Sequence, residues 1–324
     1  MKSVPLIILL VGIVLFPITG NIHWTRVLIE IFMWIMVSLG FRLILTAGQI
    51  NLAQIAFMGL GGYTVAILTT KLGFNYWPSL LVAVGSTALF AVVIGYISLR
   101  TKGIHFALAT FAVAEIVRLI WIEWKSLFGG VGGIPSIPPP NSLLGIQFGS
   151  VLSYYYLAFL MVIFSLAVMV RIEKSRFGMA LLIFEHTEDL AQSVGIDCFR
   201  YKNIAFVIGS AYAGLAGGFF AAFYHYVGSE DFTIQQTFYV LIYVLTGGIQ
   251  SLYGTVLGVS SLMICLKMIH HIPGFNPVWE PLFLGCTLLA VMKFLPGGLI
   301  SLMGRFSAEG VSLDSKQEGG VAGD

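Results

Sequence analysis

Long apolar runs constrain this chain more than any other feature. Ten predominantly apolar segments follow one another, and short polar stretches separate them. A helix needs about 20 such residues to cross a bilayer, and in lipid only helices and closed barrels can satisfy their own backbone groups. The runs predict an all-α, polytopic transmembrane helix bundle. The segments are 4–19, 25–47, 52–70, 77–99, 104–124, 152–171, 203–226, 234–249, 254–271 and 281–302.

The composition agrees with this class. Hydrophobic residues make up 58% of the chain and charged residues 10%, whereas a soluble domain carries about 25% charged residues. The apolar surface must therefore face lipid. The net charge of +2 gives no indication of nucleic-acid binding, so no such partner is expected.

The two ends of the chain need separate interpretation. Lys2 and the run that follows it are compatible with a secretory signal, but Pro17 interrupts the run and no A-x-A cleavage site follows. We favour an uncleaved first span. Residues 306–324 are polar and Gly-rich, which indicates a disordered cytoplasmic tail. Residues 1–305 are then the transmembrane domain.

Lys and Arg residues near the segment ends predict the orientation, because cytoplasmic loops are enriched in them. With both termini inside, twelve lie at inner ends and four at outer ends. The inner set is Lys2, Arg42, Arg100, Lys102, Arg171, Lys174, Arg176, Arg200, Lys202, Lys293, Arg305 and Lys316, and the outer set is Arg26, Lys71, Lys125 and Lys267. Residues 125–150 then form an outer loop and 172–202 a cytoplasmic segment.

Motifs for catalysis or cofactor binding are not found. The chain contains no GxxxxGK[ST] motif, so we expect no ATP site of its own. Its three cysteines have no metal-binding spacing, and the adjacent His270 and His271 project in different directions on a helix. We therefore predict no catalytic residue, no metal and no cofactor.

Polar residues open the third segment. Asn51 is placed to cap a helix, and Gln54, three residues on, to return the bond. Gln49 precedes them, and Gly59, Gly61 and Gly62 follow. One interpretation is a capped helix start with small residues for close packing. The other is a broken helix whose backbone borders a permeation pathway.

Two charged residues lie within the fifth segment. Glu115 and Arg118 are three residues apart, so they share a helix face and can pair. An ionisable group at such depth costs about 2.5–3.5 kcal/mol on insertion scales and should point away from lipid. The pair is either a structural bridge or part of the pathway or its gate.

The seventh segment carries small residues at four-residue spacing. Ser210, Gly214 and Gly218 form one such stripe. Membrane helices associate through small residues that let their backbones approach. The stripe predicts a helix-packing face.

The charged segment 172–202 contains a second feature. Residues 188–194 suit a short helix, which Gly195 can end in a left-handed conformation. Such a helix between two spans suits docking to a soluble partner, and the alternative is a solvated loop.

The sequence resembles the LivM-type permeases of branched-chain amino acid ABC importers. The resemblance covers most of residues 45–300. It is carried by TAGQINLAQIAFMGLGGY (46–63), FALATFAVAE (106–115), SRFG (175–178) through Gly195-Ile196, Lys202 through Gly217-Gly218, Gly247-Gly248 through Gly254 and Gly258, and PGGL (296–299).

The resemblance implies a permease subunit that forms half of a membrane pathway in a bacterial or archaeal cytoplasmic (inner) membrane. It implies a second, LivH-like permease, two ABC ATPase subunits and an extracytoplasmic solute-binding protein as partners. It also implies that Glu188, Ala191 and Gly195 belong to the helix that couples to the ATPase.

Four positions depart from the family pattern, namely Glu185, Leu190, Gln250 and Thr255. They leave the substrate open, because the family includes urea and amide importers. Two other classes of protein also stay open. A stand-alone secondary transporter or channel is disfavoured because no chain of intramembrane carboxylates is present, and a membrane enzyme because no paired catalytic residues are.

Overall fold

The computed structural model describes residues 21–101, 103–142, 148–186, 197–270, 276–295 and 297–301. Eleven helices lie within these ranges. They are α1 Ile22–Thr46, α2 Gln54–Thr70, α3 Tyr76–Ser98, α4 Ile104–Glu123, α5 Lys125–Phe128, α6 Val151–Glu173, α7 Arg176–His186, α8 Cys198–Tyr224, α9 Ile234–Gly247, α10 Leu252–His270 and α11 Glu280–Phe294.

The expected all-helical membrane architecture is found in its coarse form. Six of these helices, α1, α3, α4, α6, α8 and α10, are long and apolar enough to cross a membrane. The predicted spans 52–70, 234–249 and 281–302 correspond to helices of 17, 14 and 15 residues, and segment 4–19 lies outside the described residues. Ten spans and the orientation therefore stay predictions.

The chain divides into two compact units, with the boundary after Phe238 inside α9. In the first unit, α8 occupies the centre and packs against α1, α2 and α3, while α1 also packs against α6. The most apolar part of α1 is 83% buried, whereas that of α3 or α4 is 28% buried. Helices α1 and α8 therefore form the core, and α3 and α4 present apolar faces outward.

Small residues set the distances within this core. A Cβ atom on Gly61 would collide with the backbone of Gly214, and one on Gly217 with the carbonyl oxygen of Met58. On another side of α8, a Cβ on Gly218 would lie 2.5 Å from Leu80 Cδ1. Ser210 is fully buried. At Gly214, Gly217 and Gly218, α8 therefore lies so close to neighbouring helices that a side chain would not fit.

One end of the first unit carries most of the ordered loops, and we call it the loop end. Strand β1, Ile134–Pro135, pairs antiparallel with β2, Tyr226–Val227. Lys71 Nζ donates to the carbonyl oxygens of Ser126 and Leu127, at 2.5 and 2.8 Å. The described part of the predicted outer loop 125–150 therefore has defined structure, which these long-range bonds hold.

The second unit contains the rest of α9 with α10 and α11. Helices α9 and α10 approach closely where a Cβ on Gly258 would collide with the carbonyl oxygen of Tyr243. Gly248 has a φ of +103°, which suits glycine because it has no Cβ. Leu299 N donates to Thr246 O at 2.9 Å, which fixes residues 297–301 beside the end of α9.

Candidate functional site

The chain breaks between α1 and α2 and folds back into the bundle. Gly48 has a φ of +75°, which turns the backbone after α1 ends. Gln54 Nε2 then donates to Val37 O at 3.3 Å and to Gly209 O at 3.1 Å. Because Val37 precedes Thr46 by nine residues, it lies about 13 Å from the end of α1 along the axis. Helix α2 therefore begins deep within the bundle.

The expected cap at this point differs from the observed one. The N-cap residue is Ala53, without a side-chain cap bond. Asn51 Oδ1 accepts from Ala53 N, and Asn51 Nδ2 donates to Gln54 Oε1, both at 3.0 Å. Gln54 Oε1 accepts from the Asn51 side chain, and Gln54 Nε2 donates to two neighbouring helices, so the bond between the two residues joins their side chains rather than Gln54 and the Asn51 backbone.

These polar groups are buried without full pairing. Asn51 and Gln54 are 0% exposed and Gln49 is 6% exposed. Among the described residues, Gln49 Oε1 has no hydrogen-bond partner. A buried unpaired acceptor costs about 1–3 kcal/mol, so native proteins rarely keep one without a functional reason.

Helix α4 holds the charged pair. Arg118 Nη2 donates to Glu115 Oε1 at 2.6 Å, and Arg118 Nε lies 3.1 and 3.2 Å from the two carboxylate oxygens. Glu115 lies near the midpoint of α4 and Arg118 one turn nearer the loop end. Their side chains are 37% and 23% exposed, so within this chain the pair lies partly on the surface of the bundle.

The structure adds acidic residues that the sequence reasoning missed. Glu230 Oε1 lies 3.7 Å from Arg118 Nη1. The neighbouring Asp231 accepts a hydrogen bond from Gly228 N at 2.9 Å. Burial raises the pKa of Asp231, the Gly228 bond lowers it, and Glu230 raises it again. In the sequence, the signal for this site was a pair of adjacent acidic residues between two apolar segments.

Glu30 was also missed. It accepts a hydrogen bond from the Tyr224 hydroxyl at 3.1 Å, which connects α1 to the end of α8. An acidic residue inside an apolar segment is a functional-site hypothesis in its own right, so the sequence offered a signal here too.

Aromatic side chains pack together inside the helix bundle at the loop end. The rings of Tyr63 and Trp121 lie 4.8 Å apart, and Phe232 packs on both. Beside them, a cavity of about 470 Å³ opens between α2, α3 and α4, with Tyr63, Trp121 and Phe128 among its lining residues. The lining is largely apolar.

The opposite end of the first unit has its own ion pair. Arg42 of α1 is buried and bonds to Glu173 at the end of α6. Helix α7 begins just after this pair and packs against α6 and α8. The predicted coupling residues Glu188, Ala191 and Gly195 follow α7 and lie outside the described residues.

In the described part of the chain, no group of three His, Cys, Asp or Glu side chains converges. His270 Nε2 lies 2.7 Å from Glu280 Oε1, so its described contact is an acidic side chain.

Comparisons with known proteins place this architecture. A family model described as "Branched-chain amino acid transport system / permease component" matches residues 24–292. The high-affinity branched-chain amino acid transport system permease protein LivM of Escherichia coli is 29% identical over 293 residues, covering 83% of this chain and 68% of the relative. LivM of Salmonella typhimurium matches with the same identity and coverage.

No solved structure matches the chain significantly. The family match confirms the resemblance inferred from the motifs, and it makes the chain a transporter subunit rather than an enzyme. The chain belongs to the family of permease components of the branched-chain amino acid transport system.

Proposed function

We propose that this chain forms half of the membrane pathway of an ABC importer for branched-chain amino acids or a related small polar solute. It lies in the cytoplasmic (inner) membrane with both termini inside and about ten spans, so that the loop end faces outward. Separate ATPase subunits drive it, because its sequence has no nucleotide-binding motif.

The Glu115–Arg118 pair is the observation that carries this proposal. Both side chains are partly exposed on α4, and α4 is apolar and long enough to span a membrane. Charged groups at such depth are costly against lipid and almost always face protein or a water-filled cavity. This face of α4 therefore borders a pathway that a second permease subunit completes.

The break before α2 supports the same conclusion. Irregular backbone at membrane depth occurs where it is buried in protein or lines a water-filled cavity, and transporters place solute sites at such breaks. Gln49, Asn51 and Gln54 are the pathway or gate residues that we propose there.

The remaining partners are inferred from the family of transport systems to which the chain belongs. Two ATPases dock on the cytoplasmic segment 172–202. There, Glu188, Ala191 and Gly195 belong to the helix that couples the movement of the ATPases to the permease. An extracytoplasmic solute-binding protein delivers solute at the loop end, and the second permease is LivH-like.

Reconstitution in vesicles tests the proposal. The complete complex should take up radiolabelled leucine with ATP and not with a non-hydrolysable analogue, and it should take up urea or a neutral amide more slowly. The purified chain alone should transport nothing. Uptake by the chain alone would instead identify a secondary transporter or channel and overturn the proposal.

A further inference from the structure

We propose that the loop end of the first unit binds the zwitterionic head group of an α-amino acid. Asp231 and Glu230 take the ammonium group, and Arg118 takes the carboxylate. This inference rests on the proposed import function and specifies the class of solute that the pathway accepts.

Arg118 is arranged to accept a second carboxylate. Glu115 occupies the Nε and Nη2 edge of the guanidinium. Nη1 points toward Glu230 but lies 3.7 Å from its nearest oxygen, beyond the usual hydrogen-bond range. A guanidinium offers five donors in a planar fork that fits carboxylates. Glu115 therefore binds one edge by hydrogen bonds, and the Nη1 edge, which forms the longer ion pair with Glu230, is the edge that we assign to the solute carboxylate.

The acidic residues lie beside this edge. Glu230 is 69% exposed. Asp231 is partly buried and uses Oδ2 to accept the Gly228 amide. Burial and then the nearby carboxylates Asp231 and Glu230 raise the pKa of the Tyr226 hydroxyl. An ammonium group is attracted to such a site, because the ion pair of Arg118 with Glu230 offsets only one of the two adjacent negative charges.

Two buried hydroxyl groups point independently to a polar ligand. Tyr63 is 1% exposed and Ser229 is 0% exposed. Neither hydroxyl has a hydrogen-bond partner within the described ranges. Ser229 directly precedes the acidic pair, and the Tyr63 hydroxyl lies within electrostatic range of Asp231 and Tyr226. Unpaired buried hydroxyls are costly unless a ligand group completes them.

The arrangement distinguishes between solute classes. Urea and neutral amides carry no formal charge, so they can hydrogen-bond to the guanidinium and the carboxylates but form no ion pair with either. A zwitterion has a charge on both partners at each end, so it gains two hydrogen-bonded ion pairs in place of single-charge hydrogen bonds.

Three ligands with one aliphatic skeleton test the inference. Leucine has both charges, 4-methylpentanoate lacks the ammonium group and 3-methylbutylamine lacks the carboxylate. Binding is measured by saturation-transfer NMR on the purified permease complex without its binding protein. We expect leucine to bind about ten- to a hundredfold more tightly than either analogue, the range of one charge-assisted hydrogen bond.

Substitutions assign the two ends. Asp231→Asn should weaken the binding of leucine and 3-methylbutylamine but not that of 4-methylpentanoate. Arg118→Lys should weaken the binding of leucine and 4-methylpentanoate but not that of 3-methylbutylamine. Tyr63→Phe should weaken leucine. Glu123→Gln is the matched control, because Glu123 is exposed at the end of α4, the helix that carries Arg118. It should not change the binding of any of the three ligands. Glu230 is well exposed, so Glu230→Gln serves as the acidic variant if Asp231→Asn does not fold.

The outcomes separate this inference from the import function. If the complex shows ATP-driven leucine uptake but Asp231→Asn and Glu230→Gln bind leucine as the wild type does, the head-group site is refuted and the import function stands. Equal binding of all three ligands, or no leucine binding, also refutes the site. If leucine binds as expected but ATP drives no uptake, the import function fails instead.

Discussion

The Gln54 side chain, at the first residue of α2, donates a hydrogen bond to the main-chain oxygen of Gly209 in the middle of α8. The bond joins the start of a broken span to the central helix of the first unit. Because Gln54 is fully buried, its amide cannot exchange these partners for water. The position of the helix break is therefore fixed by tertiary contacts.

Replacing Gln54 with Met should destabilise the protein at nearly constant volume. The substitution leaves the Asn51 amide without its acceptor, and one buried unpaired group costs about 1–3 kcal/mol. The apparent Tm in detergent should fall. Thr64→Val is the control, since Thr64 is only partly buried, donates to Leu60 O within its own helix and makes a long contact of 3.4 Å with the Ser86 hydroxyl of α3. Equal Tm values for Gln54→Met and wild type would contradict the argument.

Gly217→Ala should disturb the contact between α8 and α2. The added methyl group would overlap the Met58 carbonyl oxygen, and overpacking of this kind costs about 1–3 kcal/mol. The larger change Gly214→Leu should reduce the yield of folded, extracted protein further. Gly85→Ala is the matched control, because open space surrounds that position on α3. Yields of both variants equal to that of Gly85→Ala would mean that α8 is not tightly packed at Gly214 and Gly217.

Substituting Glu115 alone should impair the protein more than substituting Glu115 and Arg118 together. Glu115→Gln leaves a cation without its main partner, whereas Glu115→Gln with Arg118→Gln removes both charges. The coupling energy should lie between the ~0.2–1 kcal/mol of exposed pairs and the ~3–5 kcal/mol of breaking a buried pair, since the side chains are partly exposed. The apparent Tm values of Glu115→Gln, Arg118→Gln and the double variant measure this coupling energy, and uptake is followed for all three. Strictly additive losses would reject the pairing.

Substitutions in the coupling segment should leave assembly of the permease intact and impair energy transfer from the ATPase. Gly195→Val and Glu188→Arg should insert and bind the partner permease but lose the ATPase or leave transport uncoupled. A left-handed conformation at Gly195 would cost a non-glycine residue about 1–2 kcal/mol. Co-purification with the ATPase and uptake in vesicles are the two measurements. Glu318→Arg, in the predicted tail, is the control, and wild-type behaviour of both coupling variants would refute the assignment.

The orientation is open to a labelling experiment. Cysteine introduced at Ser136, which is exposed at the loop end, should react with an impermeant reagent from outside. Cysteine at Thr187 should react only after the membrane is opened, because the Lys and Arg bias places residues 172–202 inside. Reaction of both positions from one side would exclude the proposed topology.

Sequence alone predicted the membrane class, most helix positions and the pairing of Glu115 with Arg118. These features follow from local rules. An apolar run of sufficient length has no stable alternative to a helix in lipid, and residues three apart on a helix are neighbours whatever surrounds them. The expected cap at Asn51 was also a local inference, but α2 begins at Gln54, where α1 and α8 accept from its side chain, and Asn51 lies two residues before the N-cap Ala53.

Tertiary structure decided what no local pattern encodes. Arg42 and Glu173 are 131 residues apart in the chain, and Arg118 meets Glu230 only because the segment after β2 folds over α4. In apolar helices the spacing of hydrophobic residues does not tell which face is inside, because lipid and protein interior are similarly apolar. The choice of interior face came from packing, where glycines on α8 permit contacts that larger side chains would block.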